Sequence, residues 1–150
     1  MEIRQIIFRG KTKDGRWVYG FVINSEHTII GYFKNSIEFQ IVEVIPETVG
    51  QYTGVTDKNG NKIFEGDILK VKSMWKAKWE ENEYGFPCKP IKCDTYWSVE
   101  YKQFRGEMGF MVYGIDRRWH TQLTWNKIYN SDAEVIGNIH DNPELLEEQL

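Results

Sequence analysis

From Pro46 the chain runs Pro-Glu-Thr-Val-Gly-Gln-Tyr-Thr-Gly, then Asp57-Lys58-Asn59-Gly60, then Ile63-Phe64-Glu65-Gly66-Asp67-Ile68-Leu69-Lys70-Val71, and no other block constrains the fold as strongly. Asn59-Gly60 is a dipeptide that accepts two positive φ angles, so it predicts a tight hairpin turn. Glu65-Gly66-Asp67 predicts a second turn, which releases a short strand through Ile68, Leu69, Lys70 and Val71. The block is therefore β architecture, and none of its positions demands a reaction.

A period of two recurs along most of the chain, and the helical period is almost absent. Ile6-Ile7-Phe8-Arg9 leads into the turn signal Asp14-Gly15, after which Trp17, Tyr19, Phe21 and Ile23 alternate with Val18, Gly20 and Val22, a hairpin pattern. The polar turn formers Asn24-Ser25-Glu26 precede a third strand from Thr28 to Phe33, and a fourth runs from Ile37 to Ile45 until Pro46, which cannot donate to a ladder, stops it. Between Lys72 and Asp94 the sequence turns to Lys-Trp repeats, the acidic patch Glu80-Glu81-Asn82-Glu83, Gly85-Phe86-Pro87 and Pro90. This predicts one long irregular excursion over 72–94, with a helical turn from Met74 to Trp79. Alternation returns with Trp97, Val99 and Tyr101, turns at Gly106-Glu107 and pairs back through Phe110-Met111-Val112-Tyr113. Further strands are expected around Leu123 to Ile128 and at Glu134 to Ile139. At the end, Asn142 as N-cap, Pro143 in the first helical position, Glu144 near the positive end of the dipole and the apolar pair Leu145-Leu146 predict a short C-terminal helix within 142–150.

At 150 residues the chain suits a single domain spanning 1–150, with aromatic side chains filling much of an all-β core. A net charge of -3 argues against holding nucleic acid through the overall field, which leaves only local basic patches for that task. Met1-Glu2-Ile3-Arg4-Gln5 lacks the cationic start and apolar run of a secretory signal, and no stretch approaches the roughly 18 apolar residues of a membrane span. The expectation is a cytoplasmic protein with no membrane partner. Cys88 and Cys93 are spaced Cys-x4-Cys, and His120 and His140 are the histidines that would complete a zinc tetrahedron, but they lack the short spacing of a finger. The two cysteines thus read as reduced thiols, and neither a metal nor another cofactor is expected.

The residues with something to offer chemically divide into three groups. Asp57-x-Asn59-x-Asn61 has the alternating oxygens of a calcium loop, but Lys62 stands where the sharp-turn glycine belongs and no glutamate occupies the twelfth position, so a hairpin turn is expected. Glu65 and Asp67 have the look of a pair of hydrolase acids, yet carboxylates beside a turn glycine usually cap backbone amides. Lys72, Trp75, Lys76, Lys78 and Trp79 interleave cations with rings, as do Arg117, Arg118, Trp119 and His120. That pattern suits single-stranded nucleic acid, with charges on phosphates and rings on bases, and it equally suits tryptophans packed on a core under solvating charges. No serine or cysteine can be matched by spacing to a histidine and an acid, and a non-enzymatic protein is expected.

Three blocks together resemble the YopX family, small proteins encoded by phages and prophages. They are Phe8-Arg9-Gly10-Lys11 with Asp14-Gly15-Arg16-Trp17-Val18-Tyr19-Gly20, the run from Pro46 to Asp67, and Glu134-Val135-Ile136-Gly137-Asn138-Ile139 with Asn142-Pro143-Glu144-Leu145-Leu146. The resemblance implies an all-β fold containing a small SH3-like barrel elaborated with extra strands, and a phage origin. It brings no catalytic residues, and the stretch from Lys72 to about Asp132 follows the pattern only loosely. The role expected of such a chain is that of an accessory protein binding a host or phage protein through the barrel surface and the Lys72 to Asp94 excursion, or assembling with its own copies through exposed strand edges. Abundant tryptophan and tyrosine, which dominate protein interfaces, favour that role, with single-stranded nucleic-acid binding as the alternative.

Overall fold

The structure is a computed structural model that describes residues 5–24, 26, 29–81, 83–85, 87–104, 106–114, 120–124 and 132–147; for 29, 73–81, 87–93, 104 and 107 it describes the backbone only. The chain divides into two compact units, Met1–Val55 with Lys62–Gly66, and Thr56–Asn61 with Asp67–Leu150. Each unit is built on one antiparallel sheet.

The first sheet contains β1 (Phe8–Lys11), β2 (Trp17–Asn24), β3 (Ile29–Phe33), β4 (Phe39–Glu43), β5 (Gly50–Thr56) and β6 (Lys62–Phe64), in the order β4-β3-β2-β1-β5-β6. Gly15, at φ 88°, turns β1 into β2 as Asp14-Gly15 predicts, and Asp14 accepts from the Thr12 hydroxyl and, at 2.7 Å, from Arg16 Nε. The fourth strand runs from Phe39 to Glu43, shorter at both ends than the expected Ile37 to Ile45, and Pro46 opens a single 3-10 turn, Pro46–Thr48, where the Thr48 hydroxyl donates to the Ile45 carbonyl and accepts the Lys11 amide at 2.8 Å. The core face of this sheet joins Val18, Ile30 and Val44, with Phe8, Tyr32 and Val49 packed against them. Close approach of strands depends on two glycines. A Cβ on Gly20 would stand 2.1 Å from the Gly31 carbonyl oxygen, and one on Gly10 would stand 2.7 Å from a Val44 methyl.

The second sheet has the order β10-β9-β8-β7-β11, from β7 (Asp67–Glu81), β8 (Pro87–Phe104), β9 (Glu107–Gly114), β10 (His120–Gln122) and β11 (Glu134–Asn138). The turn at Gly106 (φ 90°) and the pairing of Tyr101 with Phe110 agree with the expected hairpin. Its centre is dense at consecutive positions: Ile68 with Leu69, Ser98 with Val99, and Met111 with Val112 are all buried, so the sheet is covered on both faces at these positions. A short helix, α1 (Glu144–Glu147), follows β11 with Leu145 and Leu146 half-buried.

Several expectations need correction. Residues 72–94 are not an irregular excursion with a helical turn: 72–81 and 87–94 lie in the long β7 and β8, paired from Ile68 with Ser98 to Glu81 with Pro87, with turn residues described at 83–85. Val71, Ser73, Trp75, Ala77 and Trp79 alternate with Lys72, Met74, Lys76 and Lys78, a period of two that the unusual residue types conceal. The register shifts between Ser73 and Lys78, a bulge that interrupts the pairing where the pattern looked broken. The strand expected from Leu123 to Ile128 lies earlier, at His120–Gln122, while 125–131 fall outside the described residues. Asn59 does not take a positive φ; Gly60 alone does, at 84°, because Asp57 heads a longer loop in place of a two-residue turn. The Asn142 side chain turns back to accept the Asn138 amide at 3.4 Å instead of capping the helix. Finally, both sheets are open among the described residues, each with two edge strands, and no closed SH3-like barrel is formed.

Candidate functional site

The alternation of β2 places Val18 and Gly20 inward and Tyr19, Phe21 and Ile23 outward. Register then decides what stands beside them. Phe21 pairs with Gly31, Gly31 with Ile41, and Phe33 with Phe39, so these positions share one face of the sheet. Gly31 lies beneath their side chains: a Cβ there would come within 2.4 Å of Ile23 and 2.5 Å of the Phe39 ring. Phe33 and Phe39 pack ring on ring at 4.9 Å. Tyr19, Phe21, Ile23, Phe33, Phe39 and Ile41 are nevertheless between 45% and 62% exposed, and Ile37, in the turn before β4, is 93% exposed. An apolar surface this continuous is larger than the scattered residues that ordinary surfaces carry.

One end of this face is closed. Tyr19 meets Phe64 edge-on at 5.6 Å, and Phe64 meets Tyr52 at 5.7 Å. The Arg9 guanidinium lies 4.9 Å from the Trp17 ring and 5.0 Å from Phe64, and its Nη2 donates to the Glu65 carbonyl at 3.1 Å. Gly50 makes that possible, because a Cβ on it would stand 2.5 Å from the same carbonyl. Arg9, at 7% exposure, is a buried cation held by rings rather than a group offered to a ligand.

The Asp57 motif is structural. Its Oδ1 accepts the amides of Asn59 at 2.8 Å and Asn61 at 2.9 Å, and its Oδ2 accepts Asn61 Nδ2 and the Val135 amide, both at 3.1 Å. Burial pushes the Asp57 carboxyl up, but these donors together outweigh it and hold the group below the ordinary carboxylate value. Lys58 completes the seam by an ion pair of 2.8 Å with Glu134, which lowers the Glu134 pKa. Asn138 does the same for the following turn, accepting the amides of His140 and Asp141 at 3.0 Å. Two of the three sequence blocks thus meet as scaffold, with their carboxylates and amides already engaged. Asp67 is buried at 1% exposure, away from any solvent substrate.

Of the basic and aromatic clusters, Lys72 is exposed on β7; Trp75, Lys76, Lys78 and Trp79 belong to the same strand, with side chains outside the described residues. Arg117, Arg118 and Trp119 lie outside the described residues altogether. The side chains of Cys88 and Cys93 do too, as does His27. His120 stacks on Tyr113 at 5.4 Å, and Lys102 covers that ring at 5.1 Å while pairing with Glu100 at 2.5 Å. Sequence reasoning missed the face of β2, β3 and β4. Its signal was present: β2 is apolar on both parities, where an antiparallel strand with one wet side carries polar residues on one of them.

Among described residues no helix is long and apolar enough to cross a membrane. A family model described as YopX protein matches residues 7–147, nearly the whole chain. A search of curated proteins returns no match. Among solved structures, the chain is similar to protein EF1440 from Enterococcus faecalis at 22% identity, with 95% of this chain and 98% of that chain covered and a TM-score of 0.49.

Proposed function

The chain belongs to the YopX family, and from that premise we propose that it is a non-enzymatic accessory protein, of phage or prophage origin, that acts by holding another protein on the open face of β2, β3 and β4. The observation that carries this reading is the exposed cluster of Tyr19, Phe21, Ile23, Phe33, Phe39 and Ile41 over Gly31. Leaving such a surface in water costs free energy that a partner's apolar side chains recover. Tyrosine and phenylalanine anchors with few rotamers to freeze suit it to specific recognition. A photo-crosslinking phenylalanine analogue placed at Phe21 in the producing cells tests it: a covalent adduct with a protein is expected from Phe21 and not from Tyr96. No protein adduct from Phe21 would overturn the reading.

The nucleic-acid reading rests on the sequence of the Lys72 to Trp79 and Arg117 to Trp119 clusters. It expects binding of a labelled single strand that falls steeply with salt and is lost on replacing Trp75 and Trp79 by alanine. No binding at about 50 mM salt would remove it.

A further inference from the structure

We infer that the occupant of the open face is the same face of a second copy, so that two chains join sheet on sheet as a two-fold symmetric dimer. This rests on the reading that the face holds a protein and names which one.

The argument begins with charge. At a two-fold axis a residue meets its own counterpart, so a charged side chain near the centre of such an interface would meet its like in a dehydrated setting. The six side chains around Gly31 carry no charge. The nearest carboxylate on the same parity of β4 is Glu43, and Lys13 on the adjoining turn reaches it at 3.4 Å, both well exposed. The centre of the face therefore tolerates self-contact and the charges stand paired at its rim. A foreign partner would not require this neutrality, because it could answer a charge with its opposite.

Area and geometry agree. Six large side chains, each about half exposed, offer on the order of 600 Å² of apolar surface. A standard interface takes about 800 Å² from each partner, of which the polar rim supplies a share. The face also resembles the inner leaf of a β-sandwich without its second leaf: three antiparallel strands that carry apolar residues or glycine at alternate positions up to Glu43 at the rim, a surface that packs on a like sheet at about 10 Å.

Sedimentation of the full purified chain over about 1 to 100 μM tests the inference. The wild type is expected at twice the 17.8 kDa chain mass, with Phe21→Lys and, independently, Ile41→Lys weakening the dimer at least about tenfold while far-ultraviolet circular dichroism stays unchanged. Two variants guard against one that fails to fold. Mixing Phe21→Lys chains with Phe21→Asp chains should restore the dimer that neither forms alone, since a two-fold face brings opposite charges together. A wild type that stays monomeric throughout, or a dimer indifferent to both lysine variants, overturns the inference. If Phe21 still crosslinks in cells to a different protein, the proposed function stands without it; if Phe21 crosslinks to nothing, both fall.

Discussion

The sheet of β2, β3 and β4 and the central part of the sheet of β7, β8 and β9 are made from the same kinds of side chain, yet the first keeps an apolar cluster in water while the second, among the described residues, exposes only single large apolar side chains such as Tyr101 and Met108. In the second, neighbouring positions such as Ile68 and Leu69 or Met111 and Val112 are both buried, so the strands are covered above and below at these positions. In the first, Val18 and Ile30 are buried while Phe21 and Ile41, of comparable apolarity, stand outward. Hydrophobic residues go inside only where there is something to go inside against. A strand apolar on both parities is thus suited to two contacts, and in the first sheet only one of the two is made among the described residues.

Four substitutions and a change of pH break or sharpen this contrast. Leu69→Ala should have the largest effect, removing about 3 to 4 kcal/mol of stability by leaving a cavity in a doubly covered sheet, read by urea denaturation. Gly20→Ala comes next at about 2 to 3 kcal/mol, because the new methyl meets a backbone carbonyl that moves only if β2 and β3 part. Asp57→Ala should cost about 2 kcal/mol, since it leaves the amides of Asn59, Asn61 and Val135 without their acceptor in a residue only 5% exposed. A loss near zero there would mean that water replaces the carboxylate and that the seam to β11 is not held by it.

The same carboxylate gives a pH dependence with a definite sign. Its pKa in the folded protein lies below the ordinary 3.8, so the unfolded chain binds the proton more tightly. The stability it contributes is complete above the unfolded value and disappears as pH falls through the folded one. Urea midpoints should therefore decline below about pH 4, and the decline should be shallower in Asp57→Asn. The smallest effect belongs to the open face. At dilutions where the chain is monomeric, Phe21→Ser should shift stability by less than about 0.5 kcal/mol. A loss comparable to that of Leu69→Ala would show that Phe21 is a core residue after all and would erase the contrast.

Local chemistry made much of this legible in the residues alone. Asp14-Gly15, Glu65-Gly66 and Gly106 turn where short-range backbone preferences require them to turn, and Pro46, which lacks an amide hydrogen, opens the 3-10 turn that follows β4. The all-β character and the hairpin of β8 and β9 follow from alternation that any pleated strand imposes on its neighbours. The Lys-Trp stretch of β7 does alternate, Val71, Ser73, Trp75, Ala77 and Trp79 against Lys72, Met74, Lys76 and Lys78, but its pairing is interrupted by a bulge, and the acidic patch, glycine and prolines that follow it imitate a loop. What the tertiary structure alone decided is register and accessibility. Phe21, Gly31 and Ile41 are ten residues apart in steps along the chain, and nothing local says that they share a row; strand pairing does. Nor does any residue carry in its own chemistry whether its outward face will be covered. That depends on what the rest of the chain brings to it, and burial is a property of the neighbours rather than of the side chain.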